Sequence, residues 1–381
     1  EDPSLIVKAA RILAEAKPMA MYYSMGVTQF SSGVNGVKSC ANLQMLLGNL
    51  GVEGGGVNPL RGQSNVQGAC DMGALPVVYP AYQAVINEEI KTKFQDAWKP
   101  SVELSMKPGL TIVESLNEVT EGRIRALYVM GENPAMSDPN QHHVIEAMEK
   151  VDFLVVQDIV MTETAQYADV VFPATAFLEK EGTITNTERR VQLMHKVVEP
   201  AGESKDDWRI ITDVANAMGA KWNYNSSQEI YDEMRTLTPS YAGLSYERIE
   251  KEALHWPCPA LDHAGTPTLH IGKFTRGLGL FTGIDYTVPA EETDSEYPVI
   301  LTTGRMLEHF HTGTMSRNSR ILHETVPEAF VEISPDDAVK FGIEDDETVT
   351  VSTRRGAIDI KARITPMPKN NVVFIPFHFA E

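Results

Sequence analysis

Three short apolar runs constrain this chain most: residues 126–130 (A-L-Y-V-M), 153–157 (F-L-V-V-Q) and 169–172 (D-V-V-F). Runs with so little polar alternation belong to strands covered on both faces. Helical spacing over about 140–150 separates the first two, giving the order strand, helix, strand. That order predicts parallel pairing through a right-handed crossover. Pro173 stops the third run. The expected fold class is α/β.

The flanking sequence extends this reading. Asp2 and Pro3 start a helix carrying Leu5, Ile6, Ala9, Ile12 and Leu13 at helical spacing, and Pro18 ends it. A buried strand over 20–24 and a helix over 37–50 follow, and then a glycine-rich loop over 54–65. Helices are expected over 82–98, 110–119 and 206–218. Residues 178–205 read as polar and irregular, 222–260 as short helices and loops, and 265–297 as a linker. From about Pro298 the pattern turns to strands, at 299–303, 330–333, 348–353, 357–365 and 372–377. Arg355-Gly356 supplies a hairpin turn, and one helix is framed by Ser334, Pro335 and Gly342. This is a β-rich final domain.

The 381 residues carry 33 Lys and Arg against 52 Asp and Glu, a net charge of −19. Such a surface repels phosphate backbones, which excludes nucleic-acid binding. No uncharged apolar run reaches the roughly 18 residues of a membrane span. Cys40, Cys70 and Cys258 are far apart. They form neither a disulfide framework nor, alone, a zinc or iron–sulfur site, and a reducing compartment is expected.

Three places carry chemistry. Gly131-Glu132-Asn133-Pro134 lies just past a parallel strand, where open α/β sheets bind nucleotides, and the next strand ends in Gln157-Asp158 with Thr162 beyond. The bland alternative is a pair of ordinary strand–helix turns. Arg61, in N-P-L-R-G-Q-S-N, sits in a loop of low charge, where a guanidinium suits capture of a small carboxylate or phosphate. It could instead tie loop carbonyls together. The run from Thr303 to Thr314 offers Thr303, Gly304, Arg305, His309, His311 and Thr312, a donor-rich set for an anionic ligand. Metal ligation by the two histidines lacks an acid or Cys at matching spacing, and two structural histidines are the simpler reading. The acidic run 344–347 reads as solvated. No Ser/His/Asp triad, P-loop or paired-carboxylate motif is present.

The stretch 57–73, V-N-P-L-R-G-Q-S-N-V-Q-G-A-C-D-M-G, resembles the catalytic subunit of molybdenum- or tungsten-dependent formate dehydrogenases. So do 24–29 (S-M-G-V-T-Q), 130–134, 156–159 with 162–165, 181–183 with 186–190, and 303–314, in family order from end to end. The resemblance implies two molybdopterin guanine dinucleotides chelating one Mo or W. It implies that Gly131, Glu132, Asn133, Gln157, Asp158 and Thr162 hold one arm, and that Met25 and Gln29 line the pterin region. Thr303, Gly304, Arg305, His309, His311 and Thr312 would contact the cofactor from the final domain. Arg61 matches the active-site Arg, and Gln63 is implied to bind the cofactor. Formate would be oxidised to carbon dioxide, or the reverse, with electrons passed to an iron–sulfur cluster and on to electron-transfer partner subunits. The location implied is cytoplasmic.

The family's amino-terminal part carries a four-Cys [4Fe–4S] site, the Cys or selenocysteine on the metal, and an adjacent His. None of the three cysteines here has such a context, so no residue of this chain is assigned to the metal, and a later-half fragment is expected. On this resemblance 1–63 ends one Rossmann-like domain, 64–176 is a second, 177–297 connects, and 298–381 opens a carboxyl-terminal β-barrel. Another bis-pterin oxidoreductase, such as a nitrate reductase, is the alternative enzyme, and a non-catalytic relative keeping the fold is the alternative class. The segment around Arg61 favours formate. The 381-residue chain alone is expected to show no formate-dependent dye reduction; reduction above background would contradict the fragment reading.

Overall fold

A computed structural model describes residues 2–379. The chain divides into two compact units, one of residues 1–112 with 174–290, the other of residues 113–173 with 291–381. Among the described residues no helix is long and apolar enough to cross a membrane.

The second unit contains the expected parallel sheet. Ala126–Met130 pairs in parallel with Phe153–Asp158, which pairs in parallel with Val170–Pro173. The helix Gln141–Lys150 makes the first crossover. Its Val144, Ala147 and Met148 pack with Leu116 and Val119 of the helix Ile112–Thr120 against Leu154 and Val156. Leu154 and Val156 are fully buried. The other side of the central strand is only half-buried at Val155, so the sheet is covered more fully on one face.

The remainder of this unit is a five-stranded mixed sheet. Its order is Ile300–Gly304, Val372–Pro376, Phe330–Ile333, Gly356–Ile364, Thr348–Thr353. The first and second strands are parallel, as are the third and fourth, and the last two form an antiparallel hairpin. Thr353 faces Gly356 across the Arg354-Arg355 turn. The barrel expected from the sequence is thus present as an open half-barrel sheet around Val331, Ile360 and Ala362. Its helix Pro335–Phe341 is capped as expected: the Ser334 hydroxyl accepts from Asp337 N–H, and Gly342 takes the left-handed conformation that ends it.

In the first unit, Ala20–Tyr23 pairs in parallel with Gly56–Pro59. The helix Gly33–Leu46 returns between them and buries Gln44. The Gln44 amide donates to Met19 O and Gly56 O, at 2.9 and 2.7 Å, and accepts from Asn49 Nδ2 at 2.9 Å. These bonds fix where the strand pair begins. A second core joins Tyr231, Tyr241, Leu244 and Ile249 to Val191, Leu254 and Cys258.

Four expectations need correction. The helix expected over 37–50 runs Gly33–Leu46, and the loop expected over 54–65 contains the strand Gly56–Pro59, which the Gln44 amide and the Ala20–Tyr23 strand hold. The helix expected from residue 82 begins at Glu88, capped by the Asn87 side chain, because Ala81 and Tyr82 have φ of +57° and +59° and cannot continue a right-handed helix. The stretch 178–205 is not irregular throughout. Gly182–Thr185 and Arg190–Met194 form an antiparallel hairpin, with Leu254–His255 added at its edge.

Leu154→Ala empties a fully buried site in the parallel sheet, and urea unfolding is expected to show a loss of about 2–5 kcal/mol. An unchanged midpoint would contradict the packing described.

Candidate functional site

In the first unit the loop bearing Arg61 is fastened on both sides. Asn58 Nδ2 donates to Met21 O, Leu60 N–H to Tyr23 O and Ser24 Oγ to Leu60 O, so the loop continues the strand pairing. On the other side Thr187 Oγ1 donates to Pro59 O at 2.8 Å and accepts Arg61 N–H at 3.1 Å. Asn65 Oδ1 accepts Thr185 N–H at 2.9 Å. A Cβ on Gly68 would lie 2.2 Å from that same oxygen, so the glycine of N-V-Q-G is required by close approach.

The Arg61 side chain is tied at one point. Nε donates to Gln67 Oε1 at 3.2 Å, and among the described residues no protein acceptor engages its two Nη groups. Gln67 lies in the first turn of a short helix, Val66–Asp71, that ends at the fully buried Asp71. The Asp71 carboxylate accepts from Gln67 Nε2, Tyr82 OH, Tyr241 OH and Trp256 Nε1 at 2.5–2.8 Å. Burial pushes the Asp71 carboxyl up, and the four donors pull it back. Tyr241 and Tyr82 are both pushed well above the ordinary tyrosine range, by burial first and by the Asp71 charge second. Arg189 stacks over the Trp256 ring at 5.3 Å and donates to the carbonyls of Thr266 and Pro267. Gln63 is exposed on the same loop, Met25 opens a four-residue helix, and Gln29 caps it.

In the second unit the strand-end residues come together. Gly131, at φ +62°, donates its N–H to Gln157 O and has open space where a Cβ would stand. Gln157 is fully buried and its Oε1 accepts from Tyr128 OH at 2.5 Å. Asn133 is buried and all of its amide is used. Nδ2 donates to Glu163 Oε2 at 2.7 Å and Thr314 Oγ1 at 2.9 Å, and Oδ1 accepts from the Thr164 N–H and hydroxyl. Thr162 Oγ1 accepts from Ala165 N–H. Asn133 and Thr162 therefore shape the turns. Glu132 accepts from Ser137 Oγ at 2.6 Å. Its carboxyl is pushed above the ordinary range, chiefly by lost hydration and further by the nearby Asp138 and Asp158 charges. Asp158 accepts the Ile159 N–H at 2.6 Å.

The bond from Asn133 to Thr314 brings the 303–314 loop to these strand ends. Thr303 and Gly304 finish the edge strand, and Arg305 lies over the Phe377 ring at 5.5 Å. Gly313 has φ +85°, and a Cβ there would stand 2.7 Å from Arg317 Cδ. His309 is buried with both ring nitrogens engaged. Its Nε2 faces Val326 O at 2.7 Å, and its Nδ1 faces Ser316 Oγ, which itself accepts Phe310 N–H. His309 is thus a brace for the loop. His378, unmarked in the sequence reading, is a second one: Nε2 accepts Met306 N–H at 2.7 Å and Nδ1 donates to His311 O. Burial lowers its pKa. His311 is half-buried beside Thr312, its pKa lowered by burial and by the Arg305 charge.

The second unit therefore offers acceptors (Glu132, Asp158) at strand ends and donors (Arg305, His311, Thr312) on one loop. Acceptors suit guanine N–H groups or ribose hydroxyls, and donors suit a pyrophosphate. Among the described residues no three His, Cys, Asp or Glu side chains group as metal ligands. The donor set fits a dinucleotide. Tyr82, Tyr241, Trp256 and His378 carry no signal in composition or motif and are supports revealed only by packing, whereas Asp71 and Thr187 lie within the family-like stretches 57–73 and 186–190.

Comparison with known proteins finds related families. Residues 7–217 match the family Molybdopterin oxidoreductase, and residues 299–381 match Molydopterin dinucleotide binding domain. F420-dependent formate dehydrogenase 1 subunit alpha of Methanococcus maripaludis is 51% identical, over 100% of this chain and 56% of that protein. F420-dependent formate dehydrogenase subunit alpha of Methanocaldococcus jannaschii is 50% identical over the same shares. Formate dehydrogenase H of Escherichia coli is 41% identical, over 99% of this chain and 53% of that protein. The chain spans about half the length of these curated relatives. The solved structure of acetylene hydratase from Pelobacter acetylenicus superposes with a TM-score of 0.71 at 19% identity, over 98% of this chain and 56% of that one, a likeness of fold.

Asn133→Ala strands the buried Thr164 N–H and the Glu163 carboxylate. Urea unfolding is expected to show a loss of about 1–3 kcal/mol, and a midpoint equal to the parent's would contradict the role given to this amide.

Proposed function

Because the chain belongs to the molybdopterin oxidoreductase family, we propose that it forms part of the catalytic subunit of a formate dehydrogenase, holding molybdopterin guanine dinucleotide with Mo or W. The observation that carries this reading is Arg61, pinned through Nε while its Nη groups meet no protein acceptor among the described residues. A guanidinium held that way presents two parallel N–H donors to a small carboxylate. Identity of 51% along the whole chain to a formate dehydrogenase alpha subunit supports formate over nitrate.

In the second unit Glu132 and Asp158 would accept from the guanine or ribose of one dinucleotide arm, in turns shaped by Gly131, Asn133, Gln157 and Thr162. Arg305, His311, Thr303, Gly304 and Thr312 would meet the cofactor from the final sheet, on a loop braced by His309. Met25, Gln29 and Gln63 would line the pterin region. When bound, the group supplies the acceptor for the two electrons that formate gives up on becoming carbon dioxide and a proton.

Arg61 has a separate task. It neutralises the formate carboxylate and fixes its orientation, so that the C–H bond is presented in one direction. Holding a reactant in place this way lowers the barrier without any chemistry by the guanidinium itself. The partners implied are formate and carbon dioxide, together with electron-transfer subunits and a [4Fe–4S] cluster outside this chain's residues. The F420 in two relatives' names makes F420 the acceptor to test first. A cytoplasmic location goes with this reading.

The test is Arg61→Lys in the complete catalytic subunit. A lysine keeps the charge but loses the planar fork. The KM for formate is expected to rise by about tenfold or more at unchanged metal content. A KM within twofold of the parent's would remove Arg61 from substrate binding.

A further inference from the structure

The Arg61 anchor depends on which way the Gln67 amide faces, and nothing on Arg61 itself decides that. If Gln67 turned over, its NH₂ would oppose the Arg61 Nε–H and the anchor would become a repulsion. What decides it lies on the far side. Gln67 and Asp71 are four residues apart on one helix face, and Gln67 Nε2 donates to Asp71 Oδ1 at 2.8 Å and to Tyr82 OH at 2.9 Å.

The Asp71 carboxylate is an acceptor on every side. Trp256 Nε1 and Tyr241 OH fill Oδ2, while Gln67 and Tyr82 fill Oδ1. With Oδ1 demanding a donor, Gln67 can face it only with Nε2, which turns Oε1 to Arg61. The backbone supports this at a cost. Tyr82 reaches Asp71 from φ +59°, next to Ala81 at +57°, a left-handed pair that bulky residues rarely adopt. Strain of that kind persists where the surroundings over-determine it.

We propose that Asp71 is the positioning residue of the substrate arginine: its buried carboxylate sets the polarity of the Gln67 amide, and Gln67 in turn fixes the direction of the Arg61 guanidinium. The proposal rests on the reading of Arg61 as the carboxylate-binding group.

Asp71→Asn tests the polarity argument without changing size. Trp256 Nε1 can only donate, so the new amide must turn its oxygen toward Trp256 and its NH₂ toward Gln67. Gln67 then flips and presents NH₂ to Arg61. Gln67→Met removes the same anchor with no buried charge altered, which keeps the proposal testable if Asp71→Asn folds poorly. Tyr241→Phe leaves Gln67 facing as before and serves as the control for loss of stability alone.

The measurement is isothermal titration of azide, a small anion of formate's charge, into the metal-loaded complete subunit. It is accompanied by the KM for formate and by metal content. Asp71→Asn and Gln67→Met are each expected to raise the azide Kd and the formate KM by about tenfold, with kcat changed less, while Tyr241→Phe stays within about twofold. In the Arg61→Lys background, Asp71→Asn is expected to add nothing further. If Gln67→Met and whichever Asp71→Asn protein folds stay within twofold of the parent, the positioning proposal is overturned. The same holds if the Asp71 effect adds in full to that of Arg61→Lys. If instead Arg61→Lys itself leaves azide and formate binding unchanged, it is the reading of Arg61 that fails.

Discussion

A carboxylate taken out of water must be surrounded by donors, and Asp71 meets that requirement with four of them. The donors come from distant parts of the chain: residue 67 on the same helix, residue 82 on a strained turn, and residues 241 and 256 from the helical stretch beyond the hairpin. Meeting one buried charge therefore fixes how these segments pack in the first unit. The core of Tyr231, Tyr241, Leu244 and Val191 closes beside it, so the apolar and polar parts of this unit specify the same arrangement. Removing the carboxylate while leaving its donors would be costly, because buried N–H and O–H groups left unpaired lose their hydration and gain nothing.

The second unit uses the same principle with a neutral group. Asn133 spends its whole amide on the Glu163–Thr164 turn and on Thr314. This ties the carboxyl ends of the parallel strands to the loop of the half-barrel sheet. His309 and His378 hold that loop from behind, His309 through Val326 O and Ser316 Oγ and His378 through Met306 N–H and His311 O. What is left facing outward is a small set of acceptors and donors, and their chemistry matches a nucleotide-bearing cofactor.

Much of the fold is legible in the sequence. The final five strands and their capped helix can be read because alternation, Ser-Pro at one end and Gly at the other are local signals. The parallel sheet can be read because its strands are unbroken apolar runs. The hairpin Gly182–Thr185 with Arg190–Met194 escapes notice because Thr, Gln and Arg on its strands resemble a surface loop. The late helix start at Glu88 escapes because a left-handed Ala81-Tyr82 pair has no signature in residue type. Arg61 stands out by its setting in a low-charge loop, and its identification with a substrate group comes from resemblance to a family. The surroundings of Asp71 have no such signal, since Tyr82, Tyr241 and Trp256 are ordinary residues until packing brings them to one carboxylate.

The central claim is that these residues serve a metal-bearing dinucleotide cofactor. It is tested most directly on the complete catalytic subunit, made in a host that synthesises the cofactor, by elemental analysis for Mo and W together with assay of released guanosine monophosphate. The account predicts about one Mo or W and about two guanosine monophosphates per chain. A folded sample with neither metal nor nucleotide would contradict it.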